Sequence, residues 1–461
     1  MIERVYLVEP PAPDPHVFSF CNLPRLGLPL LGAILKAKGY KVTILTPASG
    51  RLDPRELARA DLLGISLTTS TAAAGYRLAD LVRDLAAAAG RRIPVVFGGV
   101  HATFLPEEAL HHGDYVVRHE GEETLPELLA ALDTGGDLSA ITGLSYRKEG
   151  RICHNPDRPR QADLDSLPLP DLSLIRNFKP TISPILASRG CPHNCTFCCV
   201  TAMMGRNYRF AGVRRVLEEL RRVPTRNVFF YDDNFAADRG RTKALLRGMI
   251  EEGLNLEWSA QVRSDVAEDE ELVTLMRRAG GSMLYIGLES VNQDALVEFH
   301  KGLTVASVER NIRTLKRHGF QIHGMFIFGA DHDRPEVIKR TVAFSKRMGL
   351  DTVQFMILTP LPGTELYARL AREGRLLTTD WRRYDGANVV YRPAGMTAYE
   401  LQRLTHWALR RFYSWRLLLR YAWTRQWAKA GLVVYARHVL QRWRARHRRD
   451  LRLLKLTGNT N

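Results

Sequence analysis

Three cysteines stand within eight residues, in the run Cys191-Pro-His-Asn-Cys195-Thr-Phe-Cys198. Thiolates are soft ligands that suit iron–sulfur clusters and zinc. Three of them, with no evident fourth partner, would hold a cubane [4Fe-4S] cluster and leave one iron open to another ligand. Structural zinc takes four protein ligands, commonly as two spaced pairs. His193 would complete such a set by composition, but the loop is short for tetrahedral use of all four. Unliganded thiols are the third reading. Cys199 is an adjacent thiol outside the spacing, and Cys21 and Cys153 have no partner pattern and read as structural.

The elements that must position this loop follow an α/β rhythm. The loop ends a strand-like run, SPILASRG, that starts near 183. Further apolar runs at 227–235, 256–265, 283–290, 321–330 and 351–360 alternate with helical stretches at 214–223, 243–253, 269–280 and 307–319. Six strands, each followed by a helix, predict a barrel or partial barrel, a fold that gathers its chemistry at the C-terminal strand ends. Those ends carry Asp232, Asp233, Arg263, Glu289, Ser290 and Gly329. Each also has an ordinary reading: a helix cap for the aspartates, a surface ion pair for Arg263, a turn for Gly329.

The first 130 residues show the same alternation, with strands expected at 5–10, 41–47, 60–67 and 93–99, helices at 26–39 and 76–90, and a strand and helix over 114–132. This pattern makes a parallel sheet with helices on both faces, which binds ligands in the loops at its strand C-terminal ends. Pro11, Ser66, Thr68, Gly98, Gly99, His101, Thr103, Glu120, Gly121 and Glu122 occupy those loops. Gly98 and Gly99 allow backbone to approach a bulky ligand closely, or simply form turns. A Pro/Asp-rich stretch, 155–180, separates this unit from the next.

The chain has 461 residues, 45% apolar and 25% charged, enough for two to four domains at roughly 100–200 residues each. That balance excludes disorder as the main state. No uncharged apolar run of about 18 residues occurs, which argues against a spanning helix. The start, MIERVYLVEPP, is charged at once and does not read as a secretory signal. The expected location is cytoplasmic and reducing, so the six cysteines are not read as disulfides. The net charge of +17 is unevenly spread: residues 401–461 hold 15 Lys/Arg and one acid, Asp450, leaving +3 for the first 400. Five of the seven tryptophans, Trp407, Trp415, Trp423, Trp427 and Trp443, lie in the same tail. A basic helix with an aromatic apolar side reads as a membrane-interface helix, as a helical lid with solvated arginines, or as a nucleic-acid contact.

The cysteine run, with an aromatic before its third cysteine, resembles the signature of radical S-adenosylmethionine enzymes. YDDNF (231–235), VRSD (262–265), YIGLES (285–290), GMFIFGAD (324–331) and TPLPGTELY (359–367) resemble, in order, segments of those radical enzymes that carry an N-terminal cobalamin-binding domain. PRLGLPLLGAILKAKGY, GGVHAT and HEGEETLPEL look like that domain, and the likeness covers about residues 1–375. The resemblance implies an α/β architecture: a Rossmann-like parallel-sheet cobalamin-binding domain over 1–140, a linker over 141–180, a radical SAM partial (β/α)6 TIM-type barrel over 181–375, and a basic, Trp-rich helical region over 376–461. It implies Cys191, Cys195 and Cys198 as ligands of a [4Fe-4S] cluster. It further implies Asp232 and Asp233 at the methionine amino group, Arg263 at its carboxylate, Glu289 and Ser290 at the ribose, and Gly329 near the adenine of S-adenosyl-L-methionine. Pro11, Ser66, Thr68, Gly98, Gly99, His101, Thr103, Glu120 and Gly121 would border cobalamin. The DxHxxG motif, which brings a histidine beneath cobalt in other cobalamin proteins, is absent here, as it is in the family.

The function implied is a radical enzyme that methylates an unactivated carbon of a lipid-like or secondary-metabolite substrate. A cobalamin-dependent cyclase or rearrangement enzyme is the alternative with the same motifs. An RNA-modifying methylthiotransferase fits less well, because relatives of that kind carry an N-terminal cysteine set and residues 1–150 hold only Cys21. The expected partners are a small-molecule or lipid substrate, an electron donor such as flavodoxin or ferredoxin, and a peripheral membrane contact through the tail. Nucleic acid is not expected, and the motifs assign no catalytic residue.

Overall fold

Aliphatic and β-branched runs form the strands Arg4–Val8, Lys41–Leu45, Leu62–Ser66, Val95–Gly98 and Tyr115–Val117, which pair in parallel. A computed structural model describes residues 1–15, 17 and 23–457; Cys21 lies outside them. Two compact units are distinguished, the first comprising 1–13, 23–192 and 199–225, the second 14–22, 193–198 and 226–461.

In the first unit, the sheet runs Lys41–Leu45, Arg4–Val8, Leu62–Ser66, Val95–Gly98, Tyr115–Val117, Leu144–Lys148, Arg151–His154, with the last two strands antiparallel. Helices Gly27–Ala37, Ala72–Ala88 and Thr124–Thr134 connect the strands. Burial of Leu7, Leu35, Ile44, Leu62, Val96 and Leu128 makes one continuous core. The chain order reverses beside Arg4–Val8, which has Lys41–Leu45 on one side and Leu62–Ser66 on the other. Such a switch point opens a crevice at the strand C-terminal ends, where doubly wound sheets bind their ligands. Pro11 follows one of these two strands, and Ser66 and Thr68 end the other.

One expectation is corrected here. SPILASRG is not a single strand: it forms Ser183–Ile185, then Ser188–Arg189, which pairs antiparallel with Arg209–Phe210. The second half therefore belongs to a small ribbon that carries the cysteine run on from Arg189. The left-handed backbone at Gly190 (φ +83°) makes that exit, and a Cβ there would sit 2.9 Å from the Asn207 carbonyl oxygen.

In the second unit, Asn227–Phe230, Glu257–Val262, Gly281–Glu289, Gln321–Phe328 and Thr352–Ile357 lie side by side in chain order, all parallel. Helices Arg239–Glu251, Glu270–Arg278, Val305–Arg317 and Pro335–Arg347 return the chain between them. Winding that advances one strand at a time in one sense is barrel topology. The helix starts are set by local chemistry: Asp238 accepts from Arg241 N, Asp269 from Leu272 N, and Thr304 with Ser307 forms a capping box.

The tail forms helices Ala398–Phe412, Trp415–Trp423, Trp427–Arg446 and Arg448–Thr457. It is not an appendage separable at residue 400. Leu401, Ala408, Phe412 and Tyr413 are buried, and the Tyr413 hydroxyl donates to Val353 O (2.7 Å) and accepts from Val353 N (3.2 Å). Lys429 reaches Asp351 at 2.9 Å, and the Tyr421 hydroxyl donates to the Asp351 carbonyl oxygen. The first tail helix is thus core for the last barrel strand. Among the described residues, no helix is long and apolar enough to cross a membrane.

Candidate cofactor site

The cysteine run divides between the units: Cys191 belongs to the first, Cys195 and Cys198 to the second. All three, and Cys199, are half-buried. A bond from Cys198 N to Cys195 O (3.0 Å) closes those two residues into one turn. The turn is anchored in the second unit through Thr196, whose carbonyl accepts from Leu366 N (3.0 Å), and through Phe197, edge-on to Phe299 at 5.1 Å. Among the described residues, no three His, Cys, Asp or Glu side chains already form a metal-holding group. What fits an iron–sulfur cluster is the donor set: three accessible thiols on one short loop, two of them in a single turn.

Around the second unit's strand ends, Asp232 is fully buried whereas its neighbour Asp233 is exposed. Arg263 directs its Nε to Asp265 Oδ2 (3.2 Å), and its two Nη groups have no partner among the described residues. A guanidinium held at one edge and open at the other suits a carboxylate. Glu289, at φ +59°, is buried and takes the Lys301 ammonium on Oε1 at 2.8 Å. Ser290 Oγ accepts from Asn292 N (3.0 Å). Gly329, at φ +106°, is fenced by the Tyr391 hydroxyl, which donates to its carbonyl, while its N–H donates to Asp333 (3.1 Å). A side chain at 329 would strike Tyr391, so this glycine is demanded by packing. Burial, followed by the positive charge of Arg263, holds His193 below the usual histidine range. The cysteine turn, Arg263 and the Glu289–Lys301 pair therefore share one electrostatic neighbourhood.

Three residues of this neighbourhood escape the sequence reading. Asn234 Oδ1 and Ser264 Oγ are buried without a hydrogen-bond partner, at the ends of the first two strands of this sheet. Orphaned buried polar atoms are rare in native folds and mark places where a ligand completes the bonding. Both lie inside motifs that the sequence does display, DDNF and VRSD, where attention falls on the charged members. Lys301 lies 12 residues beyond Glu289 and carries no local signal.

In the first unit, Pro11 is exposed, Ser66 is half-buried, and Thr68 Oγ1 bonds Thr71 Oγ1 at 3.0 Å. Gly98 has room, its nearest would-be Cβ contact being 3.6 Å away, but Gly99 (φ +86°) packs on Leu67 backbone, 2.6 Å from where a Cβ would lie. Gly99 is thus required by the strand–helix turn. His101 is fully buried with Nε2 on Glu108 (3.2 Å), and Thr103 Oγ1 accepts from His119 N (2.9 Å). Gly121 faces Val117 and Leu31.

Glu120 is the hub of a buried network. Its Oε1 accepts from Arg189 (2.7 Å), and its Oε2 from Arg209 (2.9 Å) and Gln161 N (2.8 Å); Arg189 also bonds Glu122 (2.7 Å). Burial disfavours the Glu120 carboxylate, yet the guanidiniums of Arg209 and Arg189 outweigh it and hold its pKa below the usual range. Both Glu120 oxygens are therefore spoken for within the protein. Glu122 Oε2, by contrast, is buried without a partner and can accept from a ligand amide. That atom, with the switch-point crevice and the room at Gly98, fits cobalamin, whose periphery is rich in amides. The network ties the strand-end loop 120–122 to Arg189, two residues before Cys191.

The family model of the B12 binding domain matches residues 21–129, and that of the Radical SAM superfamily matches residues 185–344. An uncharacterized methyltransferase of Pyrococcus horikoshii is 31% identical over 399 residues, covering 83% of this chain and 86% of that protein. An anaerobic magnesium-protoporphyrin IX monomethyl ester cyclase of Rubrivivax gelatinosus is 26% identical, covering 82% and 72%. Among solved structures, the radical S-adenosylmethionine methyltransferase TsrM from Kitasatospora setae superposes with a TM-score of 0.67 at 20% identity, covering 81% of this chain and 78% of that one. With a B12-binding unit, a radical SAM unit and the cysteine loop in one polypeptide, the chain belongs to the family of cobalamin-dependent radical S-adenosylmethionine enzymes, whose cofactors are a [4Fe-4S] cluster, S-adenosylmethionine and cobalamin.

Proposed function

We propose that this enzyme methylates an unactivated carbon of a lipid-like or tetrapyrrole-like small molecule. The observation that carries the reading is the similarity to the Pyrococcus horikoshii methyltransferase, over 83% of this chain and 86% of that protein. The bound cofactors supply the radical and organometallic chemistry; the protein supplies binding, orientation and electrostatics. In this assignment Cys191, Cys195 and Cys198 hold the cluster. Buried Asp232, with Asp233, receives the methionine ammonium, and the open edge of Arg263 clamps the carboxylate. Glu289, held by Lys301, and Ser290 face the ribose, with Gly329 near the adenine. Residues 1–140 hold cobalamin along the loops of Pro11, Ser66, Thr68, Gly98, Gly99, His101, Thr103, Glu120 and Gly121, with Glu122 added from its open oxygen. His101, fully buried with Nε2 on Glu108, is assigned to the wall of this site, and the absence of a DxHxxG motif leaves no histidine of that motif for cobalt. A small electron-transfer protein such as flavodoxin or ferredoxin reduces the cluster.

The tail supports a peripheral membrane contact. Trp415, Leu419 and Trp423 recur at helical spacing on one face and are 58%, 68% and 90% exposed. Arginines flank this stripe, an arrangement suited to the headgroup level of an anionic bilayer.

A second reading, ring closure without methyl transfer, is favoured by the similarity to the cyclase. One experiment separates the two. Reconstituted enzyme is given S-adenosylmethionine with a deuterated methyl group, together with hopanoid and chlorophyllide-type candidates. A product that has gained a deuterated methyl group, formed with 5′-deoxyadenosine, is the expected result. 5′-Deoxyadenosine with a product of unchanged carbon count assigns the enzyme to cyclisation instead.

A further inference from the structure

The helices of the tail border an open groove of about 1000 Å³, between Ala398–Phe412, Trp427–Arg446 and Arg448–Thr457. Its walls carry Arg403, Arg410, Arg411, Arg437 and Arg444, and no aspartate or glutamate. Among the described residues none of these five meets a carboxylate; the one acid of the tail, Asp450, pairs with Arg383 and His447. Arg437 is fixed in other ways, its guanidinium 4.2 Å over the Trp415 ring and donating to the Tyr413 carbonyl oxygen (3.2 Å).

Five like charges around one concavity repel one another, and low-dielectric walls focus their field into it. Burial, then Arg411 and Arg416, holds nearby Lys346 below the ordinary lysine range, so the positive potential reaches beyond the walls. A second observation points to a ligand. Trp443 lines the same groove, is more than nine-tenths buried, and its indole N–H has no acceptor. A buried donor left unmatched is costly, and this one belongs to a residue of the groove wall. Trp443 is held in place by stacking, with His406 at 3.9 Å and His447 at 4.5 Å between ring centroids.

We infer that this groove is a binding site for a phosphate-bearing ligand, with arginine forks on the oxyanion and the tryptophans against an attached apolar part. Arginine is suited to this role because its planar fork matches phosphate oxygens bidentately. Two sources offer that chemistry, a soluble phosphate compound and a phospholipid headgroup. The inference does not depend on whether the enzyme methylates or cyclises its substrate.

The test uses the full-length protein and two probes: inorganic pyrophosphate, followed by tryptophan fluorescence and thermal shift, and phosphatidic acid vesicles, followed by flotation against phosphatidylcholine vesicles. Each is applied to the parent, to Arg403→Gln/Arg444→Gln, and to a charge-matched control, Arg77→Gln/Arg310→Gln, whose residues lie outside the groove and outside the tail. The replaced arginines are exposed, so both variants are expected to keep the parent's Tm without ligand. Binding of pyrophosphate that weakens on the order of tenfold or more in the groove variant, and little in the control, supports a soluble ligand. Vesicle binding that is lost in the groove variant alone, without pyrophosphate binding, supports a headgroup. Failure of both probes, or equal weakening in the two variants, overturns the inference.

Discussion

Cys195→Ala is expected to abolish the iron–sulfur cluster in anaerobically reconstituted protein, and with it all cleavage of S-adenosylmethionine. A site built from three thiolates has no ligand to spare, and alanine offers no donor. Cys191→Ala and Cys198→Ala are expected to behave alike. Cys199→Ala is the internal control: it is equally half-buried but falls outside the spacing, and it should keep the cluster. Iron and sulfide content and the paramagnetic signal of the reduced cluster read the result. A full cluster in the Cys195 variant, or its loss in the Cys199 variant, would contradict the ligand assignment.

Arg189→Met is expected to be the most destabilising single change near the site. Arg189 is 8% exposed and bridges Glu120 and Glu122. Removing it strands negative charge in the interior; Glu120 keeps Arg209, but Glu122 keeps no partner. Breaking a buried pair from one side costs about 3–5 kcal/mol, a large part of the 5–15 kcal/mol typical of a folded domain. The loss should be read as a lower denaturation midpoint with unchanged m-value. Adding Glu122→Gln to Arg189→Met should restore much of it, because Glu122 is the carboxylate left without a partner while Glu120 stays paired with Arg209. A single variant within about 0.5 kcal/mol of the parent, the range of neutral surface changes, would rule out a structural role for this network.

What the sequence displays and what it hides follow from range. The cysteine spacing is local, so its donor chemistry is legible without a structure. The alternation of apolar runs and helices predicts both parallel sheets, because period and length are also local properties. The Glu120–Arg189 pair spans 69 residues, and nothing near either residue announces the other. The division of SPILASRG into two strands is equally invisible, since the turn is imposed by the partner Arg209–Phe210. Asn234 and Ser264 are neutral, and their significance is an unsatisfied bond, visible only once neighbours are placed. The tail's pattern is compatible with a membrane-interface helix, a helical lid and a nucleic-acid contact alike. Its aromatics in fact serve two masters: Phe412 and Tyr413 are buried against the last barrel strand, whereas Trp415 and Trp423 stay exposed. Interleaved aromatic and basic residues look the same in both cases.

The central claim is that the first unit carries cobalamin at its sheet edge, with no histidine on cobalt. Each described histidine there has a protein partner on at least one ring nitrogen: His101 with Glu108, His111 with Arg147, His112 with Asp80, His119 with Arg160 and His154 with Ser145. The direct measurement is the electron paramagnetic resonance spectrum of the cobalt(II) form, recorded on full-length cobalamin-loaded protein made with ordinary and with nitrogen-15-labelled histidine. The account predicts stoichiometric loading and two identical spectra. A nitrogen splitting that changes with the histidine isotope, or failure of cluster-bearing protein to take up cobalamin, would contradict it.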